Sequence, residues 1–99
     1  MTPNIQSVHF TADKKLIDFI NEKVAKLNQF HDGIVGSDVI LRVEKSDSQS
    51  NKTAEIKLSV KGGQLFAKKQ CETFEEAVDT AVDALRSQIK KAKDKTTAH

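Results

Sequence analysis

A chain of 99 residues, with 30% charged and 37% hydrophobic side chains, has the composition of one soluble globular domain. The formal net charge is only +2, and no apolar run approaches the roughly 20 residues of a membrane-spanning helix, which excludes an integral helical membrane protein. The single Cys71 cannot form an internal disulfide. The first residues also lack the pattern of a secretory signal, so we expect a cytoplasmic protein.

The first third of the chain predicts a short strand and then an amphipathic helix. Apolar residues between positions 5 and 10 favour the strand. Asp13 is a candidate N-cap, because its carboxylate can accept from free amides of the first helical turn. We expect the helix to end at Asp32, Gly33 and Gly36, since glycine tolerates positive φ. Its buried stripe recurs at steps of three and four: Leu16, Phe19, Ile20, Val24, Leu27 and Phe30.

Three strands are expected next. Residues 38–45 and 53–61 alternate between apolar and polar side chains, which predicts strands with one buried face. A polar loop, residues 46–52, joins them. Gly62-Gly63 predicts a two-residue hairpin turn into a further alternating strand, residues 64–71.

The last element is a long helix with a clear start signal. Thr73 and Glu76 have the spacing of a capping box, and an apolar stripe follows from Phe74 to Ala92. The predicted order is β-α-β-β-β-α, an α+β two-layer sandwich. Its four-stranded sheet carries both helices on one face, as in the double-stranded-RNA-binding domain. The other face is expected to expose Arg42, Lys57, Phe66 and Lys68.

The charges of this last segment are sorted along the chain. Glu72 to Asp83 contain five acids and no base, whereas Arg86 to Lys95 contain five bases and one acid. A few charges at each end would relieve the helix macrodipole, so a solvated helix end is the simpler interpretation. Further basic residues elsewhere favour a directional contact with nucleic-acid phosphates, in which the basic end faces RNA and the acidic end points away.

No catalytic, cofactor or metal site is predicted. Cys71 alternates onto the inner face, which favours a small core residue over a nucleophile. Phe66 on the open face could stack on a base, but we favour a partly shielded hydrophobe. The three histidines lack the spacing of metal ligands: His9, His31 and His99.

Four segments, taken in order, resemble one family. "VAKLNQFHDGI", "VILRVEK", "SVKGGQLFA" and "FEEAVD" are similar to the ribosome hibernation-promoting factors, also called ribosome-associated inhibitors. The likeness runs from Asn4 to Lys95. It implies the short form of the family, a single ribosome-binding domain over residues 1–99 without the C-terminal dimerisation domain of the long form. One departure is Phe74, where the family usually has tyrosine.

The resemblance implies a function without catalysis. Family members bind ribosomal RNA of the small ribosomal subunit, in the channel for messenger and transfer RNA, and inhibit translation during starvation or stationary phase. No cofactor, membrane or small-molecule substrate is expected, and the free protein should be a monomer. The resemblance assigns rRNA binding to Lys23, Lys26, Arg42, Lys91, Lys93 and Lys95. Charge and position add Lys68, Arg86 and Lys90.

Two other functions remain open at this stage. One is a regulatory protein-interaction domain of the sigma-factor-modulator type, which would dock a partner on the acidic flank of the last helix. The other is a free double-stranded RNA binder without a role on ribosomes. Charge reversal of Glu75 and Asp79 would abolish the first, and binding to an isolated RNA duplex would indicate the second.

Overall fold

The computed structural model describes residues 3–8, 10–29, 33–44 and 51–97, with side chains up to residue 91. Its elements are β1 (Asn4–Val8), α1 (Lys14–Ala25) with a 3-10 turn (Lys26–Gln29), β2 (Ile34–Val43), β3 (Lys52–Val60), β4 (Gly63–Cys71) and α2 (Phe74–Thr97). The predicted order β-α-β-β-β-α is confirmed. Several residues of the sequence-based predictions lie outside the described residues: Phe30, Asp32, the three histidines and most of the 46–52 loop.

The four strands form one sheet in the order β1-β2-β3-β4. β1 pairs with β2 in parallel, and the other two pairings are antiparallel. A parallel pair cannot be joined by a tight turn, so the chain between β1 and β2 crosses over through α1. Both helices contribute buried side chains to one core on the same sheet face, which confirms the predicted α+β sandwich.

The core follows the two predicted periodicities. Alternate residues of β2 and β3 point inward, and the stripes of α1 and α2 cover them. α2 has alanine at two of its fully buried positions, Ala77 and Ala81, which lets the helix lie close to the sheet. Fully buried side chains include Ile20, Val24, Leu27, Val39, Leu41, Ile56, Leu58 and Leu85.

Both predicted helix starts are confirmed by hydrogen bonds. The amide of Leu16 donates to Asp13 Oδ1 at 2.8 Å, and the amide of Glu76 donates to Thr73 Oγ1 at 3.1 Å. Each cap satisfies an amide that has no partner within its helix, typically worth about 1 kcal/mol. These two caps fix where the chain enters each helix.

Two glycine predictions were wrong in detail. Gly36 lies inside β2, next to a register irregularity, and does not end the first helix. The hairpin loop consists of Lys61 and Gly62, while Gly63 is already the first residue of β4. Gly62 has φ of 91°, the left-handed region that glycine tolerates. The alternation pattern could not show which of two adjacent glycines has the positive φ.

Candidate nucleic-acid interface

A depression lies between the end of α1 and the middle of α2. It has a volume of about 160 Å³ and is lined by Lys23, Lys26 and Arg86. We call it the helix-face depression. Residues at the starts of both helices line a separate cavity, so the two helices run in the same direction. The helix-face depression therefore brings together three of the nine predicted RNA-binding residues.

Two acids share this depression with the cations. Lys23 Nζ lies 3.1 Å from Asp79 Oδ1, and Arg86 Nη2 lies 3.6 Å from Asp83 Oδ1. That the acidic end points away from RNA stays a prediction, but it was made for α2 as an isolated helix. With α1 packed alongside, the cations at the end of α1 meet the acids in the first half of α2.

Lys26 is the cation that remains available. It is exposed and makes no hydrogen bond or ion pair with any residue in the described ranges. Lys23, in contrast, is held both by Asp79 and by the ring of Phe19, whose centroid is 5.5 Å from Nζ. An anion entering the depression thus meets Lys26 uncompensated by any described acid, with Lys23 already positioned beside it.

The predicted basic tail belongs to α2 itself. Lys90 and Lys91 are exposed on this helix, and Lys90 follows Arg86 by one turn. The backbone at Lys93 and Lys95 is also helical, whereas their side chains lie outside the described part. Lys90 therefore extends the line of charge from the helix-face depression along α2.

Arg42 and Lys68 lie elsewhere, on the sheet face that the helices leave open. Both contact the same carboxylate: Arg42 Nη2 and Lys68 Nζ are each 3.9 Å from an oxygen of Glu55. The sheet separates this pair from Lys23, Lys26 and Arg86. The nine predicted residues consequently do not form one patch, and cations occupy both faces of the molecule.

Several residues of these surfaces were not in the predicted site. Asp79 and Asp83 were assigned to an exposed acidic flank, although their spacing to Arg86 and Lys90 (i, i+4, i+7, i+11) already places all four on one side of α2. Lys57 was expected on the open face but not assigned a role. It is exposed there, opposite Phe66.

Other kinds of site receive no support from the side chains that the structure describes. Within these ranges, no group of three or more His, Cys, Asp or Glu residues could hold a metal ion. Cys71 is half-buried and packs against the core, as predicted. No described helix combines the length and the hydropathy needed to cross a membrane.

Comparison with known proteins identifies the family. A family model described as "Sigma 54 modulation protein / S30EA ribosomal protein" matches residues 4–97. The chain belongs to this family. It is 34% identical over 99 residues to the ribosome hibernation promoting factor of Escherichia coli K12, which covers 100% of both chains. The protein of that name from Pseudomonas putida is 33% identical over 95 residues, covering 96% of this chain and 89% of the relative.

Solved structures share the fold. A ribosomal subunit interface protein from Coxiella burnetii superposes with a TM-score of 0.83 at 16% identity, covering 95% of this chain and 99% of that one. The N-terminal domain of Protein Y from Thermus thermophilus gives a TM-score of 0.76 at 24% identity, over 89% and 93% of the two chains. The family resemblance read from the four sequence segments is confirmed.

Proposed function

We propose that this protein is a ribosome hibernation factor. It binds ribosomal RNA of the small subunit in the channel for messenger and transfer RNA, and it inhibits translation in starvation or stationary phase. It acts in the cytoplasm, where ribosomes are, and by occupying a site rather than by catalysis. The observation that carries the proposal is the full-length similarity to relatives named ribosome hibernation promoting factor.

The helix-face depression supports an RNA contact of this kind. Phosphate groups are bound mainly by lysine and arginine side chains, and such contacts position a protein without reading sequence. Lys26, uncompensated by a described acid, supplies the first contact, and Lys90 and Lys91 extend the positive surface along α2. Arg42 and Lys68 provide a second group of cations across the sheet.

Co-sedimentation with purified ribosomal subunits across a salt series tests the proposal. With about five phosphate contacts, the logarithm of the binding constant should fall with a slope near −4 against the logarithm of salt concentration. Saturable binding to the small subunit and inhibition of translation in a purified system are expected. No binding at low salt, or equal binding to both subunits, would contradict channel occupancy. A shift of an isolated RNA duplex at similar concentration would indicate a free duplex binder instead.

A second candidate function follows from the other half of the family description, modulation of a sigma factor. Glu75 and Glu76 are exposed at the start of α2, on the flank that a basic protein partner could contact. This function predicts that Glu75→Lys abolishes activity while Lys26→Glu has little effect. The hibernation proposal predicts the reverse. Comparing the two variants in a translation assay and in a sigma-factor-dependent transcription assay therefore separates the functions.

A further inference from the structure

Phe66 is an exposed aromatic on the open face of the sheet. Its side chain lies on β4 and is 53% exposed, which agrees with the partly shielded hydrophobe that we favoured from the sequence. A single exposed hydrophobe is common on protein surfaces and needs no function by itself. Val35, 74% exposed, is such a case. Phe66 differs in its surroundings.

Phe66 borders a shallow cavity of about 200 Å³ that crosses the sheet. The cavity extends along one row of paired residues, because Phe66 lies opposite Lys57, Lys57 opposite Asp38, and Asp38 opposite Asn4. Its other lining residues come from the next row. Besides Phe66 the lining consists of Asn4, Gln6, Asp38, Ile40, Glu55 and Lys57.

The lining combines an apolar surface with groups that both donate and accept hydrogen bonds. Phe66 and Ile40 supply the apolar part. The amides of Asn4 and Gln6 each carry a donor and an acceptor, and Asn4 Nδ2 already donates to Asp38 Oδ1 at 3.2 Å. A nucleobase has the same two parts, a flat face for stacking and an edge of donors and acceptors.

Three cations and two acids surround this cavity, so its net charge is positive and favours an anion. Lys57 is exposed and forms no ion pair or hydrogen bond within the described ranges. Within the described part of the chain, Lys68 and Arg42 pair with Glu55, each at 3.9 Å, well beyond the 2.7–2.9 Å typical of a charge-assisted hydrogen bond. A phosphate oxygen can therefore add a closer contact to Lys68, whose side chain is 50% exposed.

We propose that the open sheet face binds one unstacked nucleobase of a single-stranded RNA segment. The base stacks on Phe66, and Lys57 and Lys68 contact the flanking phosphates. The amides of Asn4 and Gln6 lie at the far end of the cavity, on β1, where they can contact an adjacent nucleotide. The proposal rests on the proposed function in taking RNA as the ligand. It adds a second binding surface, opposite the helix-face depression. A protein partner would need acidic side chains placed opposite the three cations, whereas every nucleotide of an RNA strand carries a phosphate.

The absence of tryptophan and tyrosine from this chain allows a direct test. Phe66→Trp introduces a single tryptophan at the proposed stacking position, and Val35→Trp introduces one at the other exposed hydrophobe. Both variants are titrated with hexauridylate and with an abasic backbone of the same length. Stacking predicts saturable quenching of Phe66→Trp by hexauridylate, and little change with the abasic strand or at position 35. Equal quenching by both strands, or none, would overturn the proposal.

Affinity gives an independent measurement. Base–aromatic stacking predicts that Phe66→Ala weakens hexauridylate binding roughly five- to 150-fold, while Val35→Ala changes it less than about twofold. An unchanged dissociation constant for Phe66→Ala would overturn the inference. The thermal midpoint of each variant checks that the fold is retained.

The two proposals fail in different ways. If the wild-type protein sediments with small subunits but hexauridylate does not quench Phe66→Trp, the sheet-face inference fails and the proposed function stands. If hexauridylate quenches Phe66→Trp but the protein does not bind subunits, the proposed function fails and the nucleotide site stands. If quenching follows only on addition of a protein partner, the open face is a protein-docking surface and the inference is wrong.

Discussion

Lys23 Nζ lies 3.1 Å from Asp79 Oδ1, and this contact joins the end of α1 to the first half of α2 inside the helix-face depression. The two side chains are 28% and 51% exposed, so this is a surface ion pair worth at most about 1 kcal/mol of stability. In the proposed RNA contact its larger effect would be on binding, because Asp79 occupies a cation that a phosphate would otherwise contact. We therefore expect the acid to limit the affinity of the depression for polyanions.

Asp79→Asn should therefore tighten binding to the small ribosomal subunit. Removing the carboxylate frees Lys23, and we expect up to about a fivefold lower dissociation constant at fixed salt. Co-sedimentation measures the effect. Glu75→Gln is the matched control, since it removes one negative charge from α2 at an exposed position outside the depression. Equal tightening by both variants would mean that only net charge matters.

Lys26→Glu, directly after α1, should weaken subunit binding more than the same substitution of any lysine on α1. Lys26 is exposed and uncompensated within the described part of the chain, so its charge is fully available to a phosphate. We expect the salt slope to fall in magnitude by about one unit. Lys14→Glu makes the same charge change at the other end of α1, roughly 18 Å away along the helix axis. Identical salt slopes for the two variants would remove Lys26 from the site.

The distal part of α2 provides a third test. Lys90→Gln combined with Lys91→Gln removes two exposed charges while keeping good helix formers, so the thermal midpoint should change little. Subunit binding should weaken, with a smaller salt slope than the wild-type protein. Full retention of affinity would restrict the contact on this face to the depression itself.

Phe74 tests the packing where both helices start. Its ring stacks on Phe10 with centroids 4.5 Å apart, and its side chain is buried. Phe74→Ala should lower the free energy of unfolding by about 3–5 kcal/mol, measured by urea denaturation. Phe74→Tyr adds one hydroxyl and should cost less than about 1 kcal/mol, because Phe74 lines a cavity of about 500 Å³ with room for that group. A large loss with tyrosine would show that the hydroxyl cannot reach this space.

Local signals predicted most of the fold. The alternation of β3 placed Ala54, Ile56 and Leu58 inside, and the capping box placed the start of α2, both as observed. These signals involve residues close in sequence. The positive φ of Gly62 was assigned less well, because either of two adjacent glycines could have adopted it.

The candidate site was harder to predict because its contacts join distant parts of the chain. The pairing of Lys23 with Asp79 depends on the position of α1 along the axis of α2. The apolar stripe of neither helix gives this position. The alternation of β2 and β4 did place Arg42 and Lys68 on the open face, across the sheet from the helices, as observed. Their meeting at Glu55 depends on the register of β2, β3 and β4, which the separate strand patterns do not contain.

The molecule is a slab, with Cα extents of 47 × 26 × 17 Å, and basic residues occupy both of its broad faces. A rigid slab attached through one face holds the other at a fixed distance and angle. A protein that binds two RNA segments of one particle in this way is bivalent. Once the first face is bound, the second contact forms at high effective concentration. Affinity would then depend on the gap between the segments, so the thickness of the sandwich would itself select the site.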